Sequence, residues 1–379
     1  MNRLVFTACL SIMACSSQNE AGVGSWSKPS ALPFEPRTGA VTVWAGSEMF
    51  VWGGSGPCGL SVTCGDGGRY DPVADSWTLV PSDAGVAGRF GHSAVWSGTD
   101  ILIWGGTCGE QGDQPCTAGG RYSPSDNQWS PLLGTAAPRP RSNHTATWTG
   151  TEMVVWGGRD PATDAMLADG ARYDPSTAVW MPMSSAAAPS ARRYQSAIWT
   201  GSEVIVWGGD GGDRFLDDGG RYDPVADRWT PLPTAGAPSP RYAHSVVWTG
   251  TEMIVWGGQG CGVAPGGGPG PCGDGARYAP ATDSWTPVSQ RDAPLPRAGH
   301  TAVWTGSQMI VWGSSFCDSG PCAAGGLYDP AVDRWRPMTT QGQPALRGDH
   351  GAVWTGTVMV ICGGLGAEFP LPDLARYTP

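Results

Sequence analysis

The sequence predicts an all-β protein: a seven-bladed β-propeller of four-stranded antiparallel blades, closed by an N-terminal strand that completes the last blade. Three observations predict it. The composition is rich in turn residues and poor in charge, a unit of about 52 residues recurs seven times, and a tryptophan near the N-terminus supplies the one landmark that the last unit lacks.

With 58 Gly and 34 Pro but only 15% charged residues, the chain is built for short strands and many turns, and has few helix formers. The same glycine and proline content would suit a disordered chain, but 20 Trp and 40% hydrophobic residues supply ample surface to bury. A formal charge of −10 argues against a phosphate-binding surface, since affinity for nucleic acid depends on neutralising Lys and Arg. Nucleic acid is therefore excluded as an expected partner.

One repeat unit reads Arg241-x-x-His244-Ser-Val-Val-Trp248-Thr-Gly-Thr-Glu-Met-Ile-Val-Trp256-Gly257-Gly258, then a loop, then Arg277-Tyr278 and Trp285. Its first tryptophan recurs as Trp44, Trp96, Trp148, Trp199, Trp248, Trp304 and Trp354. The Trp-Gly-Gly element follows, changed to Trp312-Gly313-Ser314 in the sixth unit and to Cys362-Gly363-Gly364 in the seventh. A tyrosine comes next, usually within Gly-Arg-Tyr-Asp-Pro, and then a last tryptophan. The seventh unit ends at Pro379 without that tryptophan, and Trp26 stands 11 residues before Arg37, close to the 12-residue spacing of the other six. The segment around Trp26 is thus expected to pair with the last unit and to remove the open edge of the ring. Ser245–Trp248 and Met253–Trp256 read as strands around a Thr-Gly-Thr turn, and Asp223-Pro224-Val225-Ala226-Asp227 reads as the turn between two further strands.

This unit, with its paired glycines and its Tyr and Trp at fixed offsets, resembles the kelch repeat, and the resemblance covers nearly all of the chain from Trp26 to Pro379. It implies four strands per blade, A to D from the channel outward. The start of A, the B-to-C loops and the D-to-A linkers then share one face. From the second glycine to the tyrosine those B-to-C segments vary between 13 and 20 residues, whereas the turns on the opposite face are short and near-identical. Variable loops on a rigid scaffold mark the candidate functional face.

On that face an arginine stands seven residues before each first tryptophan: Arg37, Arg89, Arg141, Arg192, Arg241, Arg297 and Arg347. In kelch propellers that bind acidic peptides such arginines line the pocket, so the resemblance implies an anionic peptide or sugar acid as ligand. The alternative is that each arginine pairs with a neighbouring blade's backbone or carboxylate. His92, His144, His244, His300 and His350 share one repeat position, with Ala40 and Gln195 in the other two units. Spread around a seven-fold ring they converge poorly on one ion, so they are expected to be structural and no metal site is expected. The acidic position Glu48, Asp100, Glu152, Glu203 and Glu252 falls in the A-to-B turn on the far face, as turn and surface chemistry. Asp210, Asp213, Asp217 and Asp218 crowd the fourth B-to-C loop, where either a hard cation or solvent would satisfy them.

At the N-terminus, Arg3 precedes an apolar run from Leu4 to Ala14 that is too short to span a bilayer and reads as an export signal over 1–15. Ile12-Met13-Ala14-Cys15 resembles a bacterial lipobox, which would lipidate Cys15 and leave 16–25 as a tether to a propeller spanning 26–379. Cleavage near Ala14 without lipidation is the alternative. Either places the chain outside the cytoplasm, in the cell envelope or secreted. Eight cysteines fall as four close pairs, Cys58 with Cys64, Cys108 with Cys116, Cys261 with Cys272 and Cys317 with Cys322, as disulfides in an oxidising compartment. Each such loop closure contributes roughly 2–3 kcal/mol. Cys362, standing where other units have Trp, is expected to be a buried free thiol.

No nucleophile elbow, zinc helix or phosphate loop is present, and nothing in the repeats forms an asymmetric catalytic constellation. The expectation is a monomeric, extracytoplasmic binding module without cofactor, recognising a protein or glycan through the loop face, with the membrane reached only through the lipid. Kelch-type sialate mutarotases leave open a sugar-acid enzyme at the same mouth, and a purely structural envelope component is the third reading.

Overall fold

The structure is a computed structural model, and it describes residues 22–59, 61–82, 85–132, 134–264, 267–314, 316–317 and 324–379. The candidate export signal, Cys15, most of the tether and Cys322 lie outside the described residues. Seven four-stranded antiparallel sheets follow one another along the chain. Blade 1 runs Val41–Ala45, Glu48–Trp52, Gly67–Asp71 and Ser76–Val80. Blade 2 runs Ser93–Trp96, Ile101–Trp104, Gly119–Ser123 and Gln128–Leu132. Blades 3 to 6 repeat this meander, with strands A beginning at Thr145, Ser196, Ser245 and Thr301.

Blade 7 takes strands A to C from Gly351–Trp354, Met359–Cys362 and Leu374–Thr378, and its strand D from the other end of the chain, Ser25–Ser27. Trp26 pairs with Tyr377 in register, as its spacing predicts. The last residues of the expected tether contact the propeller: Val23 N–H donates to Pro337 O at 2.9 Å and Val23 O accepts from Tyr377 Oη at 2.7 Å.

Strands A line the centre, each against the next, with blade 7 against blade 1. The cores lie between blades rather than within them. Leu102 and Trp104 of blade 2, for example, pack with Met153, Val155, Tyr173 and Trp180 of blade 3, and seven such layers encircle the molecule. The strand D tryptophan of each blade rests on the Trp-Gly-Gly tryptophan of the blade before, with ring centroids 4.7 Å apart for Trp104–Trp180 and 5.2 Å for Trp312–Trp26. Cys362 takes that place against Trp77 at the seam of blades 7 and 1; it is buried and free, and burial pushes its thiol up to about 12.

Candidate functional site

On the loop face the Trp-Gly-Gly element of one blade meets the arginine segment of the next. The second glycine, or Ser314 in blade 6, donates its N–H to the carbonyl of the following blade's arginine, from Gly54 to Arg89 at 2.9 Å round to Gly364 to Arg37 at 3.2 Å. The first glycine has φ of 71° at Gly53, and a Cβ there would stand 2.6 Å from the His92 ring. Only glycine admits both the left-handed turn and the imidazole.

The arginine side chain turns back into its own blade. Arg141 is typical: Nε donates to Arg139 O at 3.2 Å, Nη1 to Gly157 O at 3.0 Å and Asp169 O at 2.8 Å, and Nη2 to the Asp169 carboxylate at 3.1 Å. Arg37, Arg192, Arg241 and Arg347 likewise reach Asp66, Asp218, Asp274 and Asp373. Arg89 and Arg297 have alanines, Ala118 and Ala324, at that position and, among the described residues, bond only to main-chain carbonyls. All seven arginines are at most 2% exposed. The expectation of an open ring of cations at the mouth is corrected accordingly: the guanidinium groups are struts between strand B and the end of the B-to-C loop, because those segments present carbonyls that no strand pairs. The partner is the arginine's own blade rather than the neighbouring one.

The mouth itself is formed two residues beyond each arginine, by Gly39, Gly91, Asn143, Tyr194, Ala243, Gly299 and Asp349, all with φ between 52° and 66°. Main-chain bonds link many of them from blade to blade, as in Asn143 N to Gly91 O at 2.8 Å, Tyr194 N to Asn143 O at 3.1 Å and Asp349 N to Gly299 O at 2.9 Å. Most of these residue types tolerate the left-handed region; a tyrosine there is strained. Tyr194 is nevertheless held in it, 42% exposed, with the Arg193 guanidinium 5.1 Å from its ring centroid and the Tyr242 ring at 5.9 Å. Tyr242 stacks in turn on Phe215 at 4.8 Å and donates its hydroxyl to Gln259 Oε1 at 2.9 Å, while Arg193 Nε donates to Asp210 Oδ2 at 3.0 Å. Blades 4 and 5 therefore carry an aromatic and polar patch on the rim.

Residues 91–289 and 233–379 match the family model described as KLHDC2/KLHL20/DRC7 Kelch-repeats domain. The chain belongs to the kelch-repeat family. Among its curated relatives, Kelch domain-containing protein 3 of Homo sapiens is 29% identical over 157 residues, covering 38% of this chain and 40% of that protein. The Bos taurus protein of the same name is 28% identical over the same length, and Adagio-like protein 1 of Oryza sativa subsp. japonica is 26% identical over 162 residues, a quarter of its length. The chain thus spans well under half the length of these relatives.

The histidines of this kelch propeller stitch neighbouring blades together. His144 Nε2 meets Ser93 Oγ at 2.7 Å, His244 meets Ser196 at 2.9 Å, His300 meets Ser245 at 2.8 Å and His350 meets Thr301 at 2.7 Å. His92 has Val41 in the equivalent place, and both its ring nitrogens are buried without partner. Burial, and then the nearby arginine charge, pushes all five imidazoles down, His144, His244 and His350 to about 3. They are neutral structural groups at ordinary pH.

Disulfides join Cys58 to Cys64, Cys108 to Cys116 and Cys261 to Cys272, with Cα atoms 5.2, 5.4 and 5.1 Å apart; the pairing of Cys317 with Cys322 lies outside the described residues. In blade 4, Asp210 and Asp218 are committed to Arg193 and Arg192, which separates the acidic loop into two ion pairs rather than gathering it around a cation. The acidic turn position has a partner that the sequence reading missed, the arginine before the tyrosine: Glu48 with Arg69 at 2.6 Å, Asp100 with Arg121 at 2.7 Å and Glu152 with Arg172 at 3.2 Å. Tyr194 was missed as well. Aligning the units at the position two beyond the arginine exposes it, because glycine, asparagine and aspartate dominate there.

Proposed function

We propose that this kelch propeller is an extracytoplasmic binding module that recognises a protein or glycan at the rim of its loop face, through blades 4 and 5. One observation carries the reading: Tyr194, a large exposed aromatic, is kept in a left-handed backbone position where the other blades use only small or short polar residues (Gly39, Gly91, Asn143, Ala243, Gly299 and Asp349), beside Arg193, Asp210, Phe215, Tyr242 and Gln259. A bulky side chain retained on a left-handed residue at an exposed rim marks a candidate functional surface. Aromatic faces beside fixed polar groups suit both protein hot spots and sugar rings. Membership of a family whose propellers are interaction scaffolds supports a binder over an enzyme.

The test is a glycan and peptide array probed with the 26–379 propeller plus residues 22–25, as wild type and as Tyr194→Gly. Glycine relieves the backbone strain, so the variant should melt at or above the wild-type temperature while losing the hit. A hit that survives Tyr194→Gly unchanged overturns the placement of the site. For the export and anchoring reading, labelling with palmitate should mark the chain at Cys15 and vanish in Cys15→Ser; an unlabelled chain in the culture medium argues for simple secretion.

A further inference from the structure

Among the described residues, five of the seven strut arginines have their charge answered by a carboxylate of their own blade, and Arg89 does not. Its Nε donates to Ala87 O at 3.0 Å and its Nη1 to Gly105 O at 3.1 Å and Ala118 O at 2.8 Å, the same three bonds that Arg141 makes to Arg139, Gly157 and Asp169. In Arg141, Arg192 and Arg241 the remaining nitrogen, Nη2, then takes the aspartate at 3.1, 2.6 and 2.9 Å. In blade 2 the side chain at that place is the methyl group of Ala118. Arg297, the other arginine facing an alanine, turns its Nη2 to Ala324 O at 2.7 Å instead. Arg89 is thus the strut, among the described residues, whose Nη2 is aimed at the space that a carboxylate fills elsewhere.

We propose that this space, between Arg89 Nη2 and Ala118, is a seat for a small monovalent anion of the carboxylate or halide type. A guanidinium 2% exposed without counter-ion is costly, and an anion on its free edge offsets that cost through a charge-assisted hydrogen bond. The seat is reachable, because the aspartates in the equivalent place are 38–49% exposed at Asp66, Asp169, Asp218 and Asp274 and 24% exposed at Asp373, and Ala118 is itself exposed. Burial also lowers the Arg89 pKa to about 10, in keeping with an unanswered charge.

The experiment is thermal denaturation in rising sodium formate or, separately, sodium chloride, with ionic strength held constant by bulky morpholinoethanesulfonate. The wild-type midpoint should rise by about 2 °C per tenfold increase of a bound anion. Ala118→Asp supplies the missing carboxylate in cis; it should start higher and lose the dependence, whereas Ala324→Asp should keep it. A rise with formate alone assigns a carboxylate seat, and a rise with either anion assigns a general one. Equal slopes in wild type and Ala118→Asp overturn the proposal. Should Ala118→Asp fail to fold, line broadening of chloride-35 and of carbon-13-labelled formate on the wild-type protein decides: saturable excess broadening of either anion supports the seat, and its absence for both overturns it. Tyr194→Gly leaves the formate response intact, so failure of the rim site and failure of this seat are separable.

Discussion

A histidine buried between two blades stabilises only while it is neutral. The unfolded imidazole titrates near 6.5, and in the folded protein His144, His244 and His350 titrate at about 3, because burial penalises the charged ring. Between these values the unfolded chain binds protons that the native chain refuses, so this contribution is complete above pH 6.5 and is lost as pH falls toward 3. The lowered carboxylates, Asp75, Asp174, Asp227 and Asp333, act in the same sense but from a starting value of 3.8, which leaves the interval from pH 6.5 to 4.5 to the histidines. Melting temperatures recorded by tryptophan fluorescence at pH 7, 6 and 5 should therefore fall steadily. His144→Gln should flatten the curve, because Gln195 already fills this position in blade 4 and donates to Trp156 O at 3.0 Å; an unchanged slope would remove His144 from the account. A second residue-scale case is the C-to-D turn. Asp75, Asn127, Asp227, Asp283 and Asp333 adopt left-handed φ there and accept the hydroxyl of their blade's tyrosine, as Tyr122 Oη to Asn127 Oδ1 at 2.7 Å. Blade 3 has Ala178 at φ 55° with no acceptor to offer Tyr173. Ala178→Asn should raise stability by about 1 kcal/mol in chemical denaturation, by easing the backbone and by supplying that bond.

At the scale of the element, the disulfide hairpins are additions to a loop that holds its shape in their absence. Cys64, Cys116 and Cys272 occupy the position of Leu167, Leu216 and Leu371 in other blades: each N–H donates to the second glycine of its own blade, as Cys116 to Gly106 O at 3.1 Å and Leu167 to Gly158 O at 2.9 Å. The position is a plug, filled by a disulfide-bonded cysteine or by leucine. Cys58→Ser with Cys64→Leu should consequently cost less than the roughly 2–3 kcal/mol of loop closure, whereas Cys58→Ser with Cys64→Ala should cost all of it and the plug besides; equal melting temperatures for the two variants would deny the plug. This level of the fold was largely legible in the sequence. Strand boundaries and blade count follow from landmarks that recur because every blade meets the same two neighbours, and even the displaced strand D could be found from the spacing of Trp26. The roles of the recurring charges were not legible. Periodicity places Arg141 on the loop face but cannot say whether its guanidinium points to solvent or back to Gly157 O and Asp169, since strand parity fixes a Cα and not a four-bond side chain. The Glu48–Arg69 pair was missed for a related reason, since the two lie 21 residues apart and meet only through the register of strands B and C.

For the whole molecule, stability is shared around a ring of seven interfaces, and the ring is as secure as its seam. Blades 7 and 1 meet without several devices used elsewhere: Cys362 replaces a tryptophan, Ala40 replaces the histidine, and Gly351 replaces the serine or threonine, its space taken by Thr42. What holds the last blade in the circle is strand D of that blade, drawn from Ser25–Ser27. Trp26 packs on Trp312 of blade 6 and on Tyr377, and its Nε1 donates to Thr339 O at 2.9 Å, so one side chain ties blade 7 to the blade before it. Truncating a fully buried tryptophan typically costs about 3–5 kcal/mol; Trp26 is half-buried, so Trp26→Ala should cost less than that, about 2 kcal/mol by chemical denaturation. Removing residues 22–27 altogether uncovers the edge of Leu374–Thr378, a strand with unpaired main-chain groups, which should recruit a second chain. The shortened protein is therefore expected to melt lower and to dimerise or aggregate, as read by light scattering coupled to size exclusion. A synthetic peptide of residues 22–30 added in trans should restore the monomer and much of the melting temperature, because strand pairing and the Trp26 contacts need no covalent continuity with blade 1. A truncated protein that stays monomeric at the wild-type melting temperature, and ignores the peptide, would mean that the seam is held by the contacts of strands A alone.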